Sequence, residues 1–234
     1  MKIGGFQKNS MIDFPGLISS VIFTSGCNFV CPYCHNPDLA AGRLPEGADP
    51  IDEEEVFAFL KKRQGLIDGV VITGGEPTLQ PDLERVITRI RALGFKVKLD
   101  TNGSRPETVE ALLDKGLLDF VAMDIKSDLD GYRLAAGERF DTKMVRKSVR
   151  IIMAKAPAYE FRTTCVKPLL TKEKMADIGE MIEGAKNYIL QPCSKGVSML
   201  NPHFFKEADR FFSDDEMLAL KAEVAPSVHH CHIR

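Results

Sequence analysis

Six short runs rich in β-branched and aromatic residues recur along the chain: "LISSVIFT" (17–24), "GVVIT" (69–73), "FKVKLD" (95–100), "DFVAMDIK" (119–126), "YEFRTTCV" (159–166) and "NYILQP" (187–192). Between each pair lies room for a helix, and helical periodicity is present at about 51–63, 80–92, 106–114, 142–155 and 171–183. The first of these places Val56, Phe57 and Leu60 on one face, with acidic residues in its first turn and basic ones in its last, as the helix dipole favours. A strand that returns through a helix of this length pairs in parallel with its predecessor, by a right-handed crossover. The chain is therefore expected to be α/β, one domain over 1–234, with no low-complexity linker or strong internal repeat to divide it. Periodicity leaves two architectures open, an open doubly wound sheet and a curved partial barrel.

In either architecture, ligands gather at the carboxyl ends of the strands, so the residues just beyond each run are where chemistry is expected. The first run leads into "GCNFVCPYCHN" (26–36), after a spacing that gathers Cys27, Cys31 and Cys34 within eight positions. Three thiolates spaced this way can wrap one face of a cubane iron–sulfur cluster, which ordinarily takes four cysteines. Three leave one iron open, by the logic that separates a catalytic zinc site from a structural one. The alternative is structural zinc with His35 or a distant cysteine as fourth ligand, but zinc sites usually bring cysteines as two C-x2-C pairs and the second pair is missing.

The second run ends in "TGGEP" (73–77), where Gly74 and Gly75 would let a ligand approach the backbone and Glu76 could hold an ammonium group. "DTNG" (100–103) follows the third; the helical pattern after it argues against a hairpin and for a loop carrying Asp100, Thr101 and Asn102. The fourth closes on Asp124 and Lys126, which read equally well as a surface ion pair. In the fifth, alternation puts Tyr159, Phe161, Thr163 and Cys165 on one face and Arg162 on the other, where a buried guanidinium would need an anionic partner.

Composition excludes some partners. Lys plus Arg total 31 against 33 Asp plus Glu, a net charge of -2 that gives no support to nucleic acid or membrane binding. The amino terminus lacks the apolar run of a signal peptide, so the cytoplasm is the expected compartment, where six cysteines read as ligands or core thiols rather than disulfides. Cys165, Cys193 and Cys231, even with His229, His230 and His232, have no metal-site spacing and read as incidental thiols. The stripe Lys143, Arg146, Lys147 and Arg150 reads as a solvated helix face, with docking of an acidic electron donor as the alternative.

With those residues in view, the chain resembles the radical S-adenosylmethionine enzymes, and within them the activating proteins of glycyl radical enzymes. The C-x3-C-x2-C loop with Tyr33 before its last cysteine is the specific motif; "DFPG" (13–16), "YCHN" (33–36), "GGEP" (74–77), "DTNG" (100–103) and "MDIK" (123–126) follow the family's order over nearly the whole chain. The resemblance implies a partial (βα)6 TIM-like barrel of parallel strands with helices outside: cluster loop 26–36, barrel about 17–192, C-terminal extension about 193–234. It implies that Cys27, Cys31 and Cys34 bind a [4Fe-4S] cluster whose open iron is chelated by S-adenosylmethionine. Tyr33 and the backbone of Cys34 and His35 would flank the adenine. Gly74, Gly75 and Glu76 would receive the methionyl amino group, and Asp100, Thr101 and Asn102 would lie near its carboxylate, with a monovalent cation conceivable there. Asp124, Ile125 and Lys126 would lie near the nucleoside, with Arg162 in the same site and Ser194 standing where pyruvate formate-lyase activators carry a histidine. Asp13 would touch the glycine loop of the partner, a glycyl radical enzyme expected to be anaerobic ribonucleoside-triphosphate reductase. A flavodoxin or ferredoxin would supply the electron. A radical enzyme acting on a small molecule, or a noncatalytic zinc or iron–sulfur module, are the alternatives.

Overall fold

The computed structural model describes residues 1–44, 51–138, 140–206 and 208–234. Residues 45–50, ahead of the helical pattern at about 51–63, lie outside the described residues. The elements run β1 (Ile3–Ser10), β2 (Ser19–Thr24), α1 (Pro37–Ala40), α2 (Glu53–Lys62), β3 (Gly69–Gly74), α3 (Leu83–Ala92), β4 (Lys96–Thr101), α4 (Pro106–Asp114) and β5 (Phe120–Asp124). They continue with α5 (Tyr132–Ala136), α6 (Lys143–Lys155), β6 (Tyr159–Cys165), α7 (Lys172–Met181), β7 (Ala185–Pro192), α8 (Pro202–Lys206), α9 (Asp214–Val224) and β8 (Val228–Ile233). One sheet holds the strands in sequence order; β1 is antiparallel to β2, and every later strand is parallel to the one before it.

The six expected strands are β2 to β7, the parallel strands of the partial barrel that the resemblance implied. Two edge strands join them. β1 runs back along β2, and β8, from the segment expected as a C-terminal extension, pairs with β7 from Ala185↔Val228 to Leu190↔Ile233. Helix starts follow local chemistry: the side chains of Asp52, Thr171 and Ser213 each accept a backbone N–H of the first turn, and Ser213 with Glu216 forms a reciprocal capping box.

The two faces of the sheet differ. Ile22, Ile72, Leu99, Val121, Phe161 and Tyr188 point to the helices and form the main core. Each such side chain taken fully out of water contributes roughly 1.5–3 kcal/mol. The opposite, inner face has a small apolar floor of Phe14, Val21 and Val71, joined by Leu17, Phe23 and Phe120. Register carries the same face across β4 to β8 through Lys98↔Phe120, Asp100↔Ala122, Asp124↔Arg162 and Ile189↔His232, so charge sits above and beside that floor. Among the described residues no helix is long and apolar enough to cross a membrane.

Candidate functional site

The loop after β2 is built to be held from several sides. Gly26, in the left-handed region at φ +100°, donates its N–H to the Leu39 carbonyl (2.7 Å), and Cys27 donates to Ala40 (3.0 Å). Phe29 is buried edge-on against Phe140, with ring centroids 4.8 Å apart, and against Tyr132 on α5. Val30 donates to the Ala135 carbonyl (2.8 Å), and the Cys31 thiol reaches the same oxygen at 3.5 Å. From the C-terminal segment, Leu200 donates to the Cys34 carbonyl and Asn201 to that of Pro32, both at 3.1 Å.

So held, Cys27, Cys31 and Cys34 line one pocket with Tyr33, His35, Gly74, Gly75, Glu76, Asp100, Thr101, Asn102, Asp124 and Lys126. Among the described residues no three His, Cys, Asp or Glu side chains stand close enough to hold a single metal ion. Burial pushes the Cys31 thiol up to about 11 and raises Cys27 as well, so a metal that binds them must displace protons. Tyr33 is 4% exposed, and its hydroxyl is buried without a partner. Three soft donors on one loop, beside an orphaned polar group that a bound molecule could satisfy, fit an iron–sulfur cluster with a nucleoside ligand.

Gly74 and Gly75 both line the pocket, and on the side where a Cβ would stand each is pressed against other backbone. A Cβ on Gly75 would lie 2.1 Å from the Gly26 oxygen, and one on Gly74 would lie 2.5 Å from the Thr24 nitrogen. The glycines seat the cysteine loop on the end of β3, where Glu76 also donates its N–H to Gly26 (2.8 Å). Glu76 itself is 0% exposed. Its Oε1 accepts from the Thr78 amide (3.1 Å), the Thr78 hydroxyl (2.5 Å) and the Thr101 hydroxyl (2.8 Å), and its Oε2 from the Asn102 amide (2.7 Å). Oε1 thus accepts three hydrogen bonds and Oε2 one. The residue ties the "GGEP" turn to the "DTNG" loop, and Asn102 then donates to Asn28 at 3.1 Å.

The next strand ends carry fixed charge. Arg162 is directed to the inner face, as the alternation of β6 predicts, and donates to Asp124 (Nε, 2.9 Å) and Asp100 (3.2 Å). Lys126 reaches Asp124 at 3.1 Å and lies 5.9 Å from the Tyr33 ring centroid. Burial alone would raise the Asp124 carboxyl, but Arg162 and Lys126 more than reverse it and hold it well below the usual carboxylate range. Asp100 is likewise lowered: burial opposes, and Arg162 and Lys98 prevail. The ion-pair reading of Asp124 and Lys126 is right about the pair and wrong about the surface. Lys98, the partner of Asp100, was not singled out by the sequence reading; a lysine in a strand run gives no sign of which face it occupies.

Other expected residues stand apart. Ile125 is fully buried in the core and does not line the pocket; its N–H donates to the Arg162 carbonyl (2.7 Å) and its carbonyl accepts from the Thr163 hydroxyl (2.7 Å). Ser194 is exposed and does not line the pocket; its neighbour Cys193 lies 3.9 Å from His35 instead. Asp13 lies in the β1–β2 connection, at the opposite end of β2 from the cysteines, and accepts from Ser10 at 2.5 Å. On α6, Lys147 pairs with Glu107 (2.8 Å), while Arg146 and Arg150 share a concavity with Asp128, Asp130, Asp177 and Glu180. That stripe is interleaved with acids.

The profile described as "Radical SAM superfamily" matches residues 21–184. The chain is 35% identical over 194 residues to a Methanocaldococcus jannaschii protein named as a candidate glycyl-radical enzyme activating enzyme, covering 81% of this chain and 78% of that one. It is 32% identical over 146 residues to the pyruvate formate-lyase-activating enzyme of Clostridium pasteurianum, covering 58% of each. Among solved structures, TYW1 with a lysine-pyruvate adduct bound superimposes with a TM-score of 0.60 at 17% identity, over 90% of this chain and 74% of that one. At that identity the likeness speaks for the fold.

Proposed function

The chain belongs to the radical SAM superfamily, which implies a [4Fe-4S] cluster and S-adenosylmethionine, and from that footing we propose that it activates a glycyl radical enzyme. The observation that carries the chemistry is the pocket itself: three cysteines of one loop line it together with Tyr33, whose buried hydroxyl has no partner. Support for a protein substrate comes from the name of the archaeal relative, which aligns with most of both chains. The order of the "DFPG", "GGEP", "DTNG" and "MDIK" motifs favours anaerobic ribonucleoside-triphosphate reductase as the partner. The reaction takes place in the cytoplasm, with flavodoxin or ferredoxin as electron donor.

Held by Cys27, Cys31 and Cys34, a [4Fe-4S] cluster with S-adenosylmethionine would supply one-electron reductive cleavage of the cosubstrate, the chemistry needed to remove a hydrogen from the partner's glycine. The chain's own residues bind, orient and exclude water. Cys27, Cys31 and Cys34 hold the cluster, and the seat made by Gly75 and the Glu76 amide fixes their loop. The buried Tyr33 ring and hydroxyl offer the adenine a face and a partner. Asp124 and Lys126 stand beside it for the ribose, and Arg162 with Lys126 offers positive charge to the methionyl carboxylate. Such preset charge lowers the cost of ordering the cosubstrate.

The test is anaerobic incubation of the reconstituted enzyme with a reductant, S-adenosylmethionine and the reductase, followed by electron paramagnetic resonance. A glycine-centred doublet on the partner is expected, and Cys31→Ala should abolish it. Cleavage of S-adenosylmethionine with no partner signal would move the reading to a small-molecule substrate.

A further inference from the structure

Asp100 is the carboxylate beside which the resemblance makes a monovalent cation conceivable, and Arg162 ties it to Asp124. Their surroundings do not fit one. The Lys98 ammonium pairs with Oδ1 of Asp100. Arg162 takes Oδ2 of Asp100 and Oδ1 of Asp124, and Lys126 takes Oδ2 of Asp124. All four carboxylate oxygens already face a fixed positive group. Lys98 is only 1% exposed, and its ammonium stands 5.8 Å from the centroid of Phe120, on the apolar floor of the inner face.

Charge accounting points the same way. Lys98, Arg162 and Lys126 set three positive charges against the two of Asp100 and Asp124, and the Glu160–Arg234 pair beside them adds nothing net. The group is left with one positive charge over, which matches the single negative charge of a methionyl carboxylate. A free cation would raise that excess to two in a buried site, where like charges are poorly screened.

We propose that Lys98 is a positioning residue whose ammonium takes the place of a free monovalent cation beneath Asp100, so that binding of S-adenosylmethionine by this chain needs no potassium or sodium. This rests on the reading of the pocket as a site for that cosubstrate. The bond pattern leaves Asp100 ionised and fixed between Lys98 and Arg162, with Arg162 fixed in turn by Asp124.

The experiment compares potassium, sodium and tetramethylammonium chloride at equal ionic strength. In each salt it measures the dissociation constant for S-adenosylmethionine on the anaerobically reconstituted enzyme, and the melting temperature of the same protein without the cosubstrate. For the wild type the constants should agree within about twofold and the melting temperatures within ~1 °C, since only a bound ion makes either depend on ion identity. In Lys98→Met, affinity should fall about tenfold in tetramethylammonium and recover severalfold in potassium or on adding ethylammonium, a response that a merely structural lysine would not give. Potassium tightening the wild-type constant more than about fivefold, or raising its melting temperature by more than ~3 °C over tetramethylammonium, overturns the proposal. Should Lys98→Met fail to fold, the wild-type comparison decides alone. Absence of binding in every salt would remove the functional reading, while the melting comparison would still decide the cation question.

Discussion

Two buried acidic regions stand a strand or two apart on the same rim and are satisfied in opposite ways. Glu76 accepts four hydrogen bonds from neutral donors, two backbone amides and two threonine hydroxyls. Burial outweighs them, and its carboxyl is raised above its ordinary 4.5. Asp100 and Asp124 are less deeply set, with side chains 13% and 29% exposed, and lie among Lys98, Arg162 and Lys126; both fall below their ordinary 3.8. Neutral donors fix a carboxylate in position without securing its charge, whereas cations do both. The first region is a joint between loops. The second is an electrostatic surface waiting for an anion.

The largest effect is expected where that contrast is broken outright. Arg162→Met removes the one group shared by Asp100 and Asp124 and leaves two carboxylates underpaired in the interior. Breaking a buried pair of this kind costs about 3–5 kcal/mol. Denaturant unfolding should show it as a fall in midpoint at an unchanged slope. A loss below ~1 kcal/mol would mean that the pair behaves as exposed surface charge.

Glu76→Gln comes next. A glutamine can keep one oxygen toward Thr78 and Thr101, but its NH2 group must then face the Asn102 amide, donor against donor. Leaving such buried groups unsatisfied costs about 1–3 kcal/mol. The pH dependence separates the regions further. Because the folded-state value of Glu76 is raised, its contribution is fully present below 4.5 and is lost as pH rises through the folded value. Asp100 and Asp124 are lowered, so theirs is present above 3.8 and lost as pH falls through the folded values. The slope of stability against pH in Glu76→Gln should therefore differ from that of the wild type only above 4.5 and run parallel to it below 3.8, offset by the lost hydrogen bonding. A changed slope only in the lower window would assign the titration to the wrong region.

Much of this was legible in the sequence, and what was not has identifiable causes. The six inner strands announce themselves because both faces are covered and β-branched residues fill them. β1 and β8 do not. "IGGFQKNS" carries two glycines and a polar end, and "VHHCHI" carries three histidines, as edge strands half in water can. Arg162 was placed correctly because alternation alone decides its face. The cysteine loop was legible because its ligands lie within eight positions. The role of Gly75 was not, since the atom that fills its missing side chain belongs to Gly26, far away in sequence. The hold of Glu76 on the "DTNG" loop was not legible either, because the Thr101 hydroxyl and the Asn102 amide lie 25 and 26 residues further along the chain.

Thr101→Val tests the neutral joint with the least disturbance. Valine keeps the β-branched shape that suits the end of β4, but it removes the hydroxyl that donates to Glu76 at 2.8 Å and accepts from the Gly103 amide at 3.1 Å. Three donors then remain on a carboxylate that already lacks a cation, and the expected loss is about 1 kcal/mol. The informative reading is the titration of Glu76 itself, followed through its side-chain carboxyl carbon by nuclear magnetic resonance. With one stabilising donor gone, burial is opposed less and the value should climb further above 4.5, while that of Asp124 stays where Arg162 and Lys126 hold it. A Glu76 that moves down instead would mean that cations two strands away govern both carboxylates, and the division between joint and charged surface would be lost.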